Sequence, residues 1–267
     1  METAAAGAMK TAAATRTTDG QPRTRSAFVL PARPPDTSRR MQEREIPGFV
    51  LRSLPTTDLT AHDRDVMQAL FAANYRQANA AYLDKSFGVL GFAAIATHDG
   101  TPAGFALGEM RVIDLPRLPQ QTVALAGICC VGPAFRRRGL FGALEQAAMI
   151  ASGVVPKGRF LSAGRMAHPA SMRTMARNAT VVPKPGVPIT PWQREIGRAI
   201  AAAYKTQTFD DETFVCVGGG TPIGYPIMEI EVEPREWEIF EPVNRDRGDS
   251  LLGLCWNPDA PEGWQRP

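Results

Sequence analysis

Residues Ile128 to Ala148 read ICCVGPAFRRRGLFGALEQAA, and the order of residue types in this stretch decides the fold. An apolar run, a Gly-Pro break, consecutive arginines and a glycine lead into helix-forming residues, so the stretch predicts a strand over 122–131 followed by a helix over 135–152. The arginines are out of place for a helix start. The helix N-terminus carries unpaired backbone N–H groups and the positive end of the dipole, so Asp or Glu is expected in the first turn. An anion from outside the chain would relieve Arg136, Arg137 and Arg138, and a glycine at 139 lets such a ligand approach the backbone. Arginine side chains add charge-assisted bonds. The stretch therefore reads as a site for a pyrophosphate.

Working outward, the upstream segment PGFVLRSL predicts a first strand. Residues 58–81 follow as a helix, with Leu59, Val66, Leu70, Phe71 and Tyr75 at helical intervals and Thr57 and Asp58 as caps. FGVLGFAAIATHDGTPAGFALGEMRVID predicts a hairpin turning at Asp99-Gly100. Downstream, Phe160 to Ala163 reads as a short strand and Pro169 to Asn178 as a helix behind His168. Pro191 to Tyr204 fits a further helix with proline in its first turn. Phe214 to Val217, Tyr225 to Val232 and Leu251 to Trp256 read as strands. Hairpins mixed with crossovers give an α/β class with a mixed, mostly antiparallel central sheet and helices on both faces.

Composition narrows the function. The chain has 267 residues, 44% of them hydrophobic, enough for one large domain or one domain with extensions. No apolar run approaches the roughly 18 residues of a membrane span, so no membrane partner is expected. Residues 1–44 hold eight Lys and Arg against four Asp and Glu, and the remainder holds 22 against 23. A nearly neutral body argues against nucleic acid as a partner. Residues 1–44, rich in Ala, Thr, Arg and Pro, read as a disordered tail. Cys129, Cys130, Cys216 and Cys255 show no CxxC spacing and read as small buried hydrophobes of a reducing, cytoplasmic compartment. With His62, His98 and His168 the only histidines, no metal site is expected.

The strand ending in Val131-Gly132-Pro133, followed by Arg136 and Gly139, resembles the acyl-CoA-binding motif of the GNAT superfamily of N-acetyltransferases, whose signature is (Q/R)xxGx(G/A) after a strand ending in V-x-P. The third signature position falls on Phe141, where the family has Gly or Ala, and Gly142 follows one place late. The resemblance covers roughly half of the chain and implies an acyl-CoA N-acyltransferase-like fold with acetyl-CoA or a related acyl-CoA as co-substrate. It implies that backbone N–H groups from Arg137 through Gly139 and Leu140 to Phe141 hold the pyrophosphate and that Arg136 or Arg138 reaches its phosphates. It also implies that the strand edge at Cys129, Cys130 and Val131 pairs with the pantetheine arm, and that a backbone N–H there polarises the thioester carbonyl.

Acyl transfer needs a base for the amine and an acid for the departing thiolate. Aligning residues 168–180 to the family pattern puts Met175 at the usual tyrosine. Glu109, which interrupts the apolar run Gly108-Glu109-Met110, is a candidate base, though its plainer reading, and the one favoured, is a solvent-facing residue on an alternating strand. His168 is a second candidate, with a helix-capping neighbour again the favoured reading. The glycines of VCVGGGTPIG tempt a dinucleotide reading, but no helix pattern follows them, so they predict a hairpin turn. Residues 45–183 form the expected acyl-CoA-binding core. Residues 184–267 form an extension that completes the sheet and walls the acceptor pocket, with Trp192, Trp237, Trp256 and Trp264 as pocket aromatics or core filler. The expected activity is transfer of an acetyl or other short acyl group to an amine of a small molecule by direct attack in a ternary complex. The alternative is a GNAT-like acyl-CoA-binding sensor or interaction module without turnover. A homodimer is left open.

Overall fold

The computed structural model describes residues 42–227 and 230–265. Most of the tail reading, residues 1–41, lies outside the described residues, and so do Met228 and Glu229 within the strand expected at 225–232. Two strands, β1 (Gln42–Ile46) and β2 (Phe49–Pro55), form a hairpin that starts the sheet before residue 45. The helix expected over 58–81 is two helices, α1 (Ala61–Asn74) and α2 (Ala80–Phe87), separated by the short strand β3 (Tyr75–Arg76). Its cap is Thr60, not Thr57 or Asp58: the Thr60 hydroxyl accepts the Asp63 N–H while the Asp63 carboxylate accepts the Thr60 N–H.

The hairpin of β4 (Phe92–His98) and β5 (Thr101–Leu115) turns where expected, with Asp99 at φ 49° and Gly100 at φ 75°, the left-handed pair a two-residue hairpin loop demands. Then come β6 (Leu118–Val131), α3 (Leu140–Ile150), β7 (Phe160–Met166), α4 (Pro169–Ala176) and α5 (Pro191–Ala203). The last part holds β8 (Thr208–Asp210), β9 (Val215–Val217), β10 (Tyr225–Pro226), α6 (Pro234–Trp237) and β11 (Ser250–Asn257). The main sheet runs β1-β2-β4-β5-β6-β7-β11-β9-β8, and only β6 and β7 pair in parallel. The fold is thus α/β with a mixed, mostly antiparallel sheet. The glycine-rich stretch does not close the expected hairpin. It carries the chain from β9 to β10, which pairs with β3 in a separate ribbon, and no helix opens behind it.

Each face of the sheet is covered by helices. Leu140, Leu144, Ala147 and Ala148 place one stripe of α3 against Leu51, Ala94, Ala96 and Ala106, and the small strand residues let the helix approach closely. A Cβ added at Gly108 would meet Ala148 and Met149 of α3, and Gly108 pairs with Ala126, whose Cβ lies 3.8 Å from one built at Gly164. One built at Gly253 would meet Met172 and Met175 of α4 and Met166, which shares the Gly164 face, so α3 and α4 lie on the same face. The opposite face packs Leu125, Leu161 and Ala163 with Leu70 of α1, Leu83 of α2 and Ile196 and Ile200 of α5. Trp192, Trp256 and Trp264 are core, stacked edge to face at 5.9 and 5.7 Å. Among the described residues no helix is long and apolar enough to cross a membrane.

Candidate active site

The parallel pair β6 and β7 is in register only from Thr122 opposite Phe160 to Ala126 opposite Gly164. Beyond that point the two strands part. The register of β6 against β5 slips between Ala106 and Gly108, so β6 carries one extra residue there, a bulge that bends its end away from β7. The hydroxyl of Tyr204, at the end of α5, sits in the gap within reach of the carbonyls of Ala126 (2.8 Å) and Ala163 (2.9 Å), one of which accepts its proton.

The bulge also sets which amides face the gap. The Gly132 N–H donates to Ala103 O at 2.8 Å, and a Cβ at Gly104 would come within 2.7 Å of the Cys130 carbonyl oxygen. Gly132 and Cys130 therefore turn their backbone groups toward β5, and by alternation Cys129 and Val131 turn theirs toward the edge that β7 has left. That edge is free to take an extended ligand as a strand.

From this edge the chain enters a turn of 3-10 helix at Pro133–Phe135, anchored by Phe135 against Phe49 at 5.8 Å. The helix starts at Leu140, not at 135, so the arginines belong to the loop ahead of it. Arg137 takes φ 64° and Gly139, the N-cap, φ 76°. No side chain caps this end, its first turn holds no acid, and nothing lies within 4 Å of a Cβ built on Gly139. Arg136 donates to Asn74 Oδ1 at 3.0 Å and Arg138 lies 5.8 Å from the Phe135 ring centre. Among the described residues none of the three arginines is ion-paired. Phe141 is 40% exposed and lines the neighbouring cleft instead of packing into the core. The left-handed glycine, bare N–H groups and unpaired guanidinium groups are suited to phosphates.

A cleft of about 480 Å³ passes through the gap. Cys129, Phe141, Glu145 and Met149 line it from β6 and α3, and Arg165, His168 and Met175 from β7 and α4. Tyr75, Tyr82, Tyr204 and Lys205 line it from the α1, α2 and α5 side. Of the residues expected from sequence, Cys129, Phe141 and His168 reach this wall. Cys130, Val131 and Leu140 are buried and offer backbone only. Burial pushes both adjacent thiols up, which disfavours the thiolate form of Cys129 and Cys130.

Glu109 does not line the cleft. It is buried on the α5 face and forms an ion pair with Arg111, whose other bonds go to the carbonyls of Ala203 and Val89. Glu109→Gln is expected to destabilise the fold by about 3 kcal/mol by leaving a partly buried guanidinium without its partner, measurable by urea unfolding. His168 is the N-cap of α4: its Nδ1 accepts the Ala170 N–H at 3.2 Å, so the neutral ring carries its proton on Nε2. Burial, with Arg245 and Arg173, holds its pKa below the usual value. A base at this position would have to give up the cap.

Two groups escaped the sequence reading. Glu145 is half-buried in the cleft wall with no hydrogen-bond or ion-pair partner among the described residues, and burial pushes its pKa up to about 7. An acid within the apolar run Gly142-Ala143-Leu144-Glu145 was the signal for it. Tyr75 ends α1, stacks on Phe71 at 4.7 Å and lies in electrostatic range of both thiols, its own pKa raised by burial. Its helical spacing disguised it as a core residue. Among the described residues no group of three or more His, Cys, Asp and Glu could hold a metal.

No protein-family model matches the chain. No curated protein matches it either. Solved structures do. A GNAT family N-acetyltransferase (YhbS) from Escherichia coli in complex with CoA is 16% identical over 47% of this chain and 66% of its own, with a TM-score of 0.34. Diaminobutyrate acetyltransferase EctA from Paenibacillus lautus, in complex with L-2,4-diaminobutyric acid and coenzyme A, is 17% identical over 48% of this chain and 70% of its own, with a TM-score of 0.29. A candidate acetyltransferase from Pyrococcus horikoshii is 16% identical over 44% of this chain and 39% of its own, with a TM-score of 0.31, so the chain spans well under half of that protein. These three solved structures carry acetyltransferase names, one of them that of a GNAT family N-acetyltransferase.

Proposed function

We propose that the chain is an acyltransferase of the GNAT type that moves an acetyl or other short acyl group from acyl-CoA to the amine of a small molecule. The observation that supports this most is the conjunction at the end of β6: a strand edge released from β7, the glycine-headed helix start without a side-chain cap that follows it, and a cleft lined from both by Cys129 and Phe141. The residues fit the co-substrate. The amides around Gly139 and the arginines face its phosphates, and the Cys129 and Val131 backbone pairs with its pantetheine arm. One of these amides polarises the thioester carbonyl.

The acyl group passes directly to the acceptor, in keeping with thiols whose ionisation burial disfavours. The amine nitrogen bonds to the thioester carbon and yields one proton to Glu145, relayed by water across the gap. The carbon–sulfur bond then breaks and the Tyr75 hydroxyl protonates the sulfur, taking the role that Met175 cannot fill. Tyr75→Phe is expected to lower kcat by roughly 10- to 100-fold with CoA affinity unchanged. Calorimetry with CoA and acetyl-CoA tests the site, and thiol release with a panel of amines tests turnover. Met175 in place of a tyrosine favours a second reading, an acyl-CoA-binding module without turnover. Tight CoA binding with no thiol release across the panel would select it.

A further inference from the structure

We infer that the acceptor carries an oxyanion, a carboxylate or a phosphate, besides its amine, and that Arg165 holds it; this rests on the acyltransferase reading above. Arg165 is the first residue of β7 beyond Gly164, the last one paired with β6, so it stands where the sheet opens. Its side chain alternates with that of Gly164, which faces α3 and α4, and it shares the opposite face with Leu161 and Ala163. In the proposed pose the phosphates of acyl-CoA sit on the loop ahead of α3, with Arg136, Arg137 and Arg138 and not with Arg165. The anion for Arg165 therefore comes from the acceptor.

The guanidinium is built to receive one. Its Nε donates to Ser250 Oγ at 2.9 Å, which fixes the planar head, while among the described residues its two terminal nitrogens have no hydrogen-bond partner and no carboxylate pairs with it. The carboxylates on neighbouring elements are occupied. Asp249, beside Ser250, is fully buried and held by Arg247 and by the amides of Gly218 and Asn244, and Glu109 is held by Arg111. Tyr204 and Cys216, both in electrostatic range of Arg165, are kept neutral by burial. The cleft also bears Lys85 and Lys205 on this side, and the one carboxyl group among the described residues that line it, Glu145, is on the α3 side. A planar fork with both terminal nitrogens free presents one end-on pair of N–H groups, which matches a carboxylate or phosphate in a way that an amine cannot.

The test uses the full chain loaded with CoA and matched pairs of amines that differ only in the anion. L-lysine is set against cadaverine, L-ornithine against putrescine, and phosphoethanolamine against ethanolamine. Calorimetry of each amine and thiol release with acetyl-CoA are read for the wild type, Arg165→Met and Arg165→Lys. At least one anionic member is expected to bind or react tenfold or more better than its partner. Arg165→Met should erase that preference, and Arg165→Lys, which keeps the charge, should retain part of it. CoA affinity, measured separately, should not change in either variant. Equal or better use of the plain amines, no binding of any member, or a preference that survives Arg165→Met overturns the inference. Failure of CoA itself to bind overturns the acyltransferase reading instead.

Discussion

Gly139→Asp is expected to abolish CoA binding, a loss of at least about 100-fold in affinity, while the protein stays folded. No protein atom lies within 4 Å of a Cβ built at Gly139, so an Asp side chain starts in open space, and its carboxylate occupies the ground proposed for the pyrophosphate. Like charges in contact and a blocked approach to the amides act in the same direction. At φ 76° any residue with a Cβ also bears about 1 kcal/mol of backbone strain, lowering Tm slightly. Gly139→Ala separates the two effects, because it carries the strain without the charge and should weaken binding far less. Calorimetry on both variants, with circular dichroism for the fold, is decisive. Undiminished CoA affinity in the Asp variant would remove the basis of the functional reading.

Glu145→Gln is expected to lower turnover about 100-fold or more, with a signature in pH that a packing role does not give. The Glu145 carboxyl has its pKa raised from an ordinary 4.5 to about 7 by burial. Its deprotonated form accepts the proton, so wild-type activity should climb as pH rises through about 7, and the variant should lack that limb. Stability moves the opposite way. Between 4.5 and about 7 the folded state holds a proton that the unfolded state has released. Stability therefore falls as pH rises across this window and remains lower above it, by up to about 3 kcal/mol from this group. The Gln variant has no such loss, so it should be less active yet more stable than the wild type at pH 8 and nearly equal to it below pH 4.5. Urea unfolding at the two pH values checks this, and a pH–rate limb that persists in the variant would clear Glu145 of the role.

The loop proposed for the phosphates could be picked out in the sequence because its residue pattern is local. Arginines where acids are expected, a glycine at the head of a helix and a strand ending in proline all lie within one short stretch. The hairpin at Asp99-Gly100 was legible for the same reason, since two adjacent residues supply the left-handed turn. The helix boundary was misplaced, because Pro133 to Phe135 form a tight turn fixed by the Phe135–Phe49 contact, a partner far away in sequence. The break between α1 and α2 was missed similarly, since Tyr75 and Arg76 leave the helix to pair with Pro226 and Tyr225. Residue identity made Glu109 look catalytic, and only the folded chain brings it to Arg111 and away from the cleft wall.

By itself the sequence determined the α/β class, the turn at Asp99-Gly100 and the glycine-headed loop proposed for an anion, all consequences of neighbours along the chain. The tertiary structure alone decided where the sheet parts, which amides of β6 face the gap, and which charged groups of distant segments meet there unpaired. The physical reason is that an unsatisfied amide, a raised carboxyl pKa or a free guanidinium depends on what the rest of the chain places beside it or withholds.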